Sequence, residues 1–232
     1  MHARTGGFDK GLLLLALLLG AGHSQAFSAQ AGSPQIRRTP APVMDTSGAP
    51  WLVRPEREEE ERPEQLLQAL KIQPGDVVAD VGAGVGYFSL RLARLVGKTG
   101  KVLAVDIQQA MLDELARSRD REGLQNIETI LGTETDPKLL PDSVDLVLLV
   151  DVYHEFSQPA AMMEKIRAAL KPTARLVLVE YRGEDPSVPI KPLHKMTERQ
   201  VLEEIVPMGF RHLKTLDSLP RQHIIIFEKQ RM

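Results

Sequence analysis

Three observations predict an α/β fold built on a doubly wound, mostly parallel sheet. From Pro74 onward, strand-like and helix-like stretches alternate along the chain. The apolar run Asp76–Val81 feeds directly into a glycine-rich turn, Gly82-Ala83-Gly84-Val85-Gly86. The last two strand-like runs are separated by a short connection containing Pro220. It is too short for a crossover helix, so this pair is expected to be antiparallel.

The elements follow in order. Arg54–Leu70 is charged at first and apolar later, and Pro63–Leu70 reads as a helix opening at a proline. Asp76–Val81 is the first strand, and Tyr87–Val96 its helix, punctuated by Gly97 and Gly100. Lys101–Asp106 is the second strand, Ala110–Arg121 a helix and Asn126–Leu131 the third strand. Val144–Val150 is an unbroken apolar run, as a central parallel strand is buried on both faces. Ala160–Leu170 is a helix ended by Lys171-Pro172, and Ala174–Val179 the fifth strand. Thr197 caps a helix running to Val206. Arg211–Leu216 and Gln222–Phe227 complete a seven-stranded sheet with a C-terminal antiparallel hairpin.

The glycine turn carries the functional signal. Glycine lets the backbone turn sharply and approach a ligand closely. Asp106 lies 20 residues beyond Gly86, at the end of the second strand. A glycine loop with an acid on the next strand can hold an adenosine-containing cofactor, the carboxylate accepting from the ribose hydroxyls. The dinucleotide fingerprint is G-x-G-x-x-G, whereas here the third glycine comes one residue early and Tyr87 follows it. With Asp80 before it, the run Asp80-Val81-Gly82-Ala83-Gly84-Val85-Gly86 resembles motif I of the class I S-adenosylmethionine-dependent methyltransferases. The resemblance covers roughly Pro63 to Lys229. It implies a Rossmann-like fold, S-adenosylmethionine as cofactor and methyl transfer by in-line displacement. The alternatives are a nucleotide-dependent oxidoreductase and a glycine turn that merely joins strand to helix.

The resemblance also distributes roles. Gly82, Ala83, Gly84 and Gly86 are expected around the methionine part and the ribose edge, with Asp80 organising the loop. Ile107 is expected against the adenine. Glu134 is preferred over Asp136 for the adenine amino group, with a bland surface loop as the alternative. Asp151 is expected near the methionine ammonium or the substrate. The segment Asp151-Val152-Tyr153-His154-Glu155-Phe156 lacks the Asn-Pro-Pro-Tyr-like motif of many amino-group methyltransferases. It is similar instead to the small-molecule, quinone-biosynthesis type 11 group. His154 is the candidate general base, because imidazole titrates near neutral pH, and Tyr153 a second catalytic candidate. A helix-start hydrogen bond for His154 and packing for Tyr153 are the plainer readings.

A polar connection follows the fifth strand. Arg182, His194 and Lys195 form a cationic set able to receive an anionic small molecule, and Arg221-Gln222-His223 approaches the same face. A solvated loop with internal salt bridges is the competing reading. Asp151 and Glu180 stand where catechol-type enzymes hold magnesium, but the acid-plus-Asn pair after strand five is missing, so no metal is expected. Trp51 and Arg57 would line the site if the segment 51–73 forms a helical cover. The plainer reading of Glu56–Arg62 is a solvated helical face.

Composition narrows the function classes. The chain has 232 residues, a formal charge of −2, 4% aromatic residues and no cysteine. It presents neither the basic footprint nor the stacking platform of a nucleic-acid binder. Thiol nucleophiles, disulfides and cysteine zinc sites are excluded. At the N-terminus a weakly basic start precedes an apolar run, Leu12–Leu19, and the small-x-small triplet Ser24-Gln25-Ala26. This is the plan of a signal peptide cleaved after Ala26 or of a short anchor, and the run is too short to span a bilayer comfortably. Residues 27–50 read as a flexible tether and 51–232 as the methyltransferase domain. Cleavage implies export, away from the cytoplasmic source of the donor, and an uncleaved leader keeps the domain at the membrane or in the cytoplasm. A non-catalytic binding protein on the same fold is the alternative function, although Gly82, Gly84, Gly86 and Asp106 are all present.

Overall fold

The computed structural model describes residues 1–2 and 38–230. The leader, Leu12–Leu19 included, and the first part of the tether lie outside the described residues. Among the described residues, no helix is long and apolar enough to cross a membrane.

Eight strands form one sheet: β1 (Val77–Val81), β2 (Lys101–Asp106), β3 (Ile127–Leu131), β4 (Val144–Val150), β5 (Leu170–Arg182), β6 (Lys195–Met196), β7 (Phe210–Leu216) and β8 (Gln222–Lys229). The main order is β3-β2-β1-β4-β5-β8-β7, with the short β6 alongside β5. The strands pair in parallel except β8, which is antiparallel to both β5 and β7. The count is one higher than expected because β6 falls in the polar segment read as loop. Tyr181 pairs with Lys195 there, and Arg182 with Met196, whose side chain joins the core. β5 also starts earlier than Ala174. Its register against β4 shifts between Val144 and Leu146, which takes Lys171-Pro172-Thr173 out of the ladder, where a proline costs no backbone hydrogen bond.

Among the described residues, seven α-helices accompany the sheet: α1 (Ala49–Leu52), α2 (Arg57–Glu60), α3 (Pro63–Leu70), α4 (Ser89–Val96), α5 (Gln109–Arg121), α6 (Pro159–Ala169) and α7 (Glu198–Ile205). Thr197 caps α7 in a reciprocal capping box with Gln200. Alternation along the buried strands sends side chains to both faces. Leu146, Leu148, Val177 and Ile224 meet α3, α4 and α5 in one core, and Val147, Leu149, Leu178 and Ile225 meet α6 and α7 in the other. The sheet is therefore the middle of three layers.

The tether expectation fails for the residues described. Arg38 donates to the carbonyls of Tyr153 and His154 at 2.8 and 2.7 Å, and to Glu204 at 3.2 Å. The Ala41 amide donates to the His154 carbonyl, and Ala41 is buried. Asp45 caps a 3₁₀ turn at Thr46–Gly48, and Gln108 holds the Met44 carbonyl. Proline and small residues suit this closely packed strap as well as they suit a tether. Likewise Glu56–Arg62 is not a solvated face throughout, since Arg57 and Glu61 are buried and paired through two hydrogen bonds at 2.9 and 2.6 Å.

The loop glycine Gly86 sits at φ +90°, and a Cβ there would lie 2.6 Å from Leu115 Cγ. Gly86→Ala is expected to destabilise the fold by about 2–4 kcal/mol, from the left-handed backbone and the overpacked contact with α5, as measured by denaturant titration.

Candidate active site

Strand order reverses beside β1, and a cavity of about 700 Å³ opens at the C-terminal strand ends there. The glycine loop forms its floor. The Gly82 and Ala83 amides both donate to the Val105 carbonyl, which pins the loop to β2. Gly82 has φ +80°, and a Cβ there would come within 2.4 Å of Val152 Cγ2. Gly82, Ala83 and Gly84 line the cavity; Gly86 does not, being turned into the α5 contact, so its expected cofactor role is corrected to packing.

Two loop acids are buried for different tasks. Asp80 accepts from Ser89 Oγ at 2.5 Å, and burial pushes its pKa up to about 6. Asp106 accepts from the Gly84 amide at 2.8 Å and from the Gln108 amide at 2.9 Å through different oxygens. Burial raises its pKa despite those amides. Each carboxylate oxygen keeps further accepting capacity toward the cavity. Ile107 is partly exposed on the wall, and Glu134 lines the cavity while accepting from Ser157. Asp136 does not line it and instead binds Lys138.

At the opposite end lie Asp151 and its neighbours. Asp151 has φ +51°, an uncommon conformation for a non-glycine residue. Its Oδ2 accepts from Gln222 Nε2 at 2.6 Å, while its buried Oδ1 has no partner. Burial, then the charges of Glu61 and Glu180, hold its pKa well above the carboxylate range, with Arg57 acting in the opposite direction. Arg57 lines the cavity, stacks 4.0 Å above the Tyr87 ring and donates to the Leu52 carbonyl. Tyr181 donates to the same Glu61 that Arg57 holds.

The third corner contains histidines. His154 is buried, with Nδ1 2.5 Å from Glu180 Oε2 and Nε2 3.2 Å from His194 Nδ1. Glu180 also accepts from the Tyr153 amide, which fixes its carboxylate. Burial opposes a charged ring, but the Glu180 charge and hydrogen bond outweigh it, so the His154 pKa lies above the ordinary imidazole value. His194 is shifted the other way, by burial and then by its proximity to His154. Glu155, beside them, is pushed up to about 7 by burial.

Not every expected residue arrives here. Tyr153 is fully buried, donates to Glu204 and does not line the cavity, so its catalytic expectation is corrected to a core role. Arg182 is corrected too: its guanidinium donates to the carbonyls of Asp217, Leu219 and Pro220 and ties down the β7–β8 connection. Lys195 donates to the Asp185 carbonyl, so of the cationic set only His194 reaches the cavity. Gln222 does reach the site through Asp151, whereas Arg221 pairs with Glu60. Asp151 is held by Gln222 and Glu180 by His154. Glu61, Glu155, Lys191 and the strap residues Val43 and Met44 were missed. The i,i+4 spacing of Arg57 and Glu61 was the one local signal available for that pair.

A family model described as a methyltransferase domain matches residues 72–217, and the chain belongs to that family. It is 31% identical over 112 residues to the ubiquinone/menaquinone biosynthesis C-methyltransferase of Hydrogenovibrio crunogenus, covering 47% of this chain and 44% of that protein. It is 25% identical over 114 residues to the demethylmenaquinone methyltransferase of Oceanobacillus iheyensis, covering 49% and 48%. The matched region thus spans less than half the length of these curated relatives. A solved S-adenosylmethionine-dependent methyltransferase from Aquifex aeolicus superposes with a TM-score of 0.76 at 26% identity, over 80% of this chain and 98% of that one.

Fold, family and cavity define a class I S-adenosylmethionine-dependent methyltransferase. The residues present fit that cofactor: the unpartnered Asp151 Oδ1 offers a buried acceptor for an ammonium, and Asp106 brings a second carboxylate into the same cavity. Asp106→Ala should weaken S-adenosylmethionine about 10–100-fold by calorimetry, as expected for lost hydrogen bonds to a charged group. Asp80 gives a separate test. Its folded pKa of about 6 exceeds the unfolded value of about 3.9, so its contribution to stability is present below pH about 4 and lost as pH rises through about 6. Asp80→Asn cannot titrate, and its stability relative to wild type should rise by about 3 kcal/mol between pH 4 and 7.

Proposed function

We propose that the enzyme methylates a small-molecule acceptor whose hydroxyl or carbon acid gives up a proton, and that His154 is the general base. The observation carrying this reading is the buried His154–Glu180 pair in the same cavity as the glycine loop. The names of the quinone-biosynthesis relatives support a small, apolar acceptor, as do the wall residues Val43, Trp51, Val152, Phe156 and Ile190.

S-adenosylmethionine, when bound, supplies a methyl group already activated on a sulfonium. Little else is then asked of the protein than placement and proton management. Asp106 and the Gly82–Gly84 backbone hold the adenosine end, and Asp151 the amino acid end. Glu180 accepts the Nδ1 proton of His154 and so leaves Nε2 as the basic nitrogen. His194, 3.2 Å from that nitrogen, is positioned to pass the acceptor's proton to it. The strap residues and α1 exclude water from the apolar wall.

The test is transfer of labelled methyl from S-adenosylmethionine to a panel of phenols and hydroquinones. His154→Ala should lower turnover about 10²–10⁴-fold while cofactor affinity stays within a few-fold. Equal loss of both would overturn the base assignment. Turnover should rise with pH through a value above the ordinary imidazole pKa, since the base acts unprotonated. Glu180→Gln should move that limb to lower pH, because burial alone depresses the His154 pKa.

A further inference from the structure

The histidine corner has a second chemical capacity. His154 and His194 meet with ring centroids 5.1 Å apart and planes at 81°. Their facing nitrogens, Nε2 and Nδ1, are 3.2 Å apart. The Glu155 carboxylate stands beside them, and one ligating atom from each of the three side chains lies within 4.8 Å of the others. All three residues line the cavity. An ion bound tetrahedrally, at about 2.0–2.1 Å from nitrogen, holds two imidazole nitrogens about 3.3 Å apart. The observed pair already has that spacing. The outer nitrogen of His154 is held by Glu180, the carboxylate–imidazole arrangement that orients metal-binding histidines and raises their basicity.

We propose that His154 Nε2, His194 Nδ1 and the Glu155 carboxylate form a binding site for a divalent transition metal of the zinc class, with the fourth position open to the cavity. Two nitrogens and one carboxylate favour zinc or cobalt over magnesium, which prefers an all-oxygen shell. Binding displaces the proton shared between the two imidazoles, and rotation of the half-buried Glu155 side chain brings its oxygen to bonding distance. No oxidation or reduction accompanies it. The site is separate from the carboxylates after β4 and β5 that were weighed for magnesium, since it uses neither Asp151 nor a Glu180 oxygen as ligand. It does not depend on His154 acting as base. Where both hold, metal and acceptor proton compete for one nitrogen.

The full chain, stripped with chelator, is titrated with zinc chloride and separately with cobalt chloride, then dialysed and assayed for metal. One metal per chain and the visible absorption of four-coordinate cobalt are expected. His194→Ala and Glu155→Gln should each weaken metal binding at least tenfold while S-adenosylmethionine affinity is unchanged, which shows that the fold is intact. Glu155→Gln is isosteric and keeps the test decisive if His194→Ala disturbs its loop. Absence of stoichiometric uptake, or uptake unmoved in the variants that still bind the cofactor, overturns the site. Because neither readout is methyl transfer, its failure leaves the acceptor reading standing, and the reverse holds too.

Discussion

The arrangement of the cavity is governed by the burial of like charge. Glu61 and Glu180 are withdrawn from water around one end of it, and the Asp151 Oδ1 atom is buried beside them. Burying isolated carboxylates is costly unless they are paired, protonated or hydrogen-bonded, and each finds a different solution. Glu61 takes Arg57 and the Tyr181 hydroxyl, Glu180 takes His154 and the Tyr153 amide, and Asp151 is left with Gln222 and a raised pKa. The partners come from the segment before the sheet, from the loop after β4, from β5 and from β8. Four remote parts of the chain are thereby fixed around one pocket.

This distribution gives the two ends of the cavity different characters. The glycine-loop end is made by local geometry, a strand, a tight turn and an acid on the adjacent strand. The Asp151 end is made by tertiary pairing. A positively charged group arriving beside Asp151 would relieve the like-charge crowding there, since the Oδ1 atom is buried without a partner. The buried carboxylates thus favour a positive charge at that end beyond the one that Arg57 supplies.

What could be read in the sequence follows the same division. The strands, the helices of the sheet layers and the Gly82–Gly84 turn rest on short-range patterns, apolar runs and glycine spacing, and from these the fold was legible within a few residues. Gly86 was misassigned because spacing shows that a glycine is needed but not whether a ligand or Leu115 requires it. Arg57 and Glu61 looked solvated because charge composition alone does not say which side of a helix is covered. The pairing of His154 with Glu180 joins residues 26 apart on different elements, and no local signal announces it. Arg182 and Lys195 fell away for the complementary reason: nearby carbonyls satisfied them before they could reach the cavity.

The matched family region begins at residue 72, yet Arg38, Trp51, Arg57 and Glu61 all lie ahead of it. Arg38 and Ala41 together hold the carbonyl of His154, the residue proposed as base. Contacts that build the pocket wall are therefore made by residues as far as 34 positions ahead of the matched region, at Arg38. A recombinant fragment trimmed to the homologous region would keep the sheet and the glycine loop while losing a wall of the pocket and the ties on its imidazole. Such a fragment would report on nucleoside recognition and say nothing trustworthy about turnover.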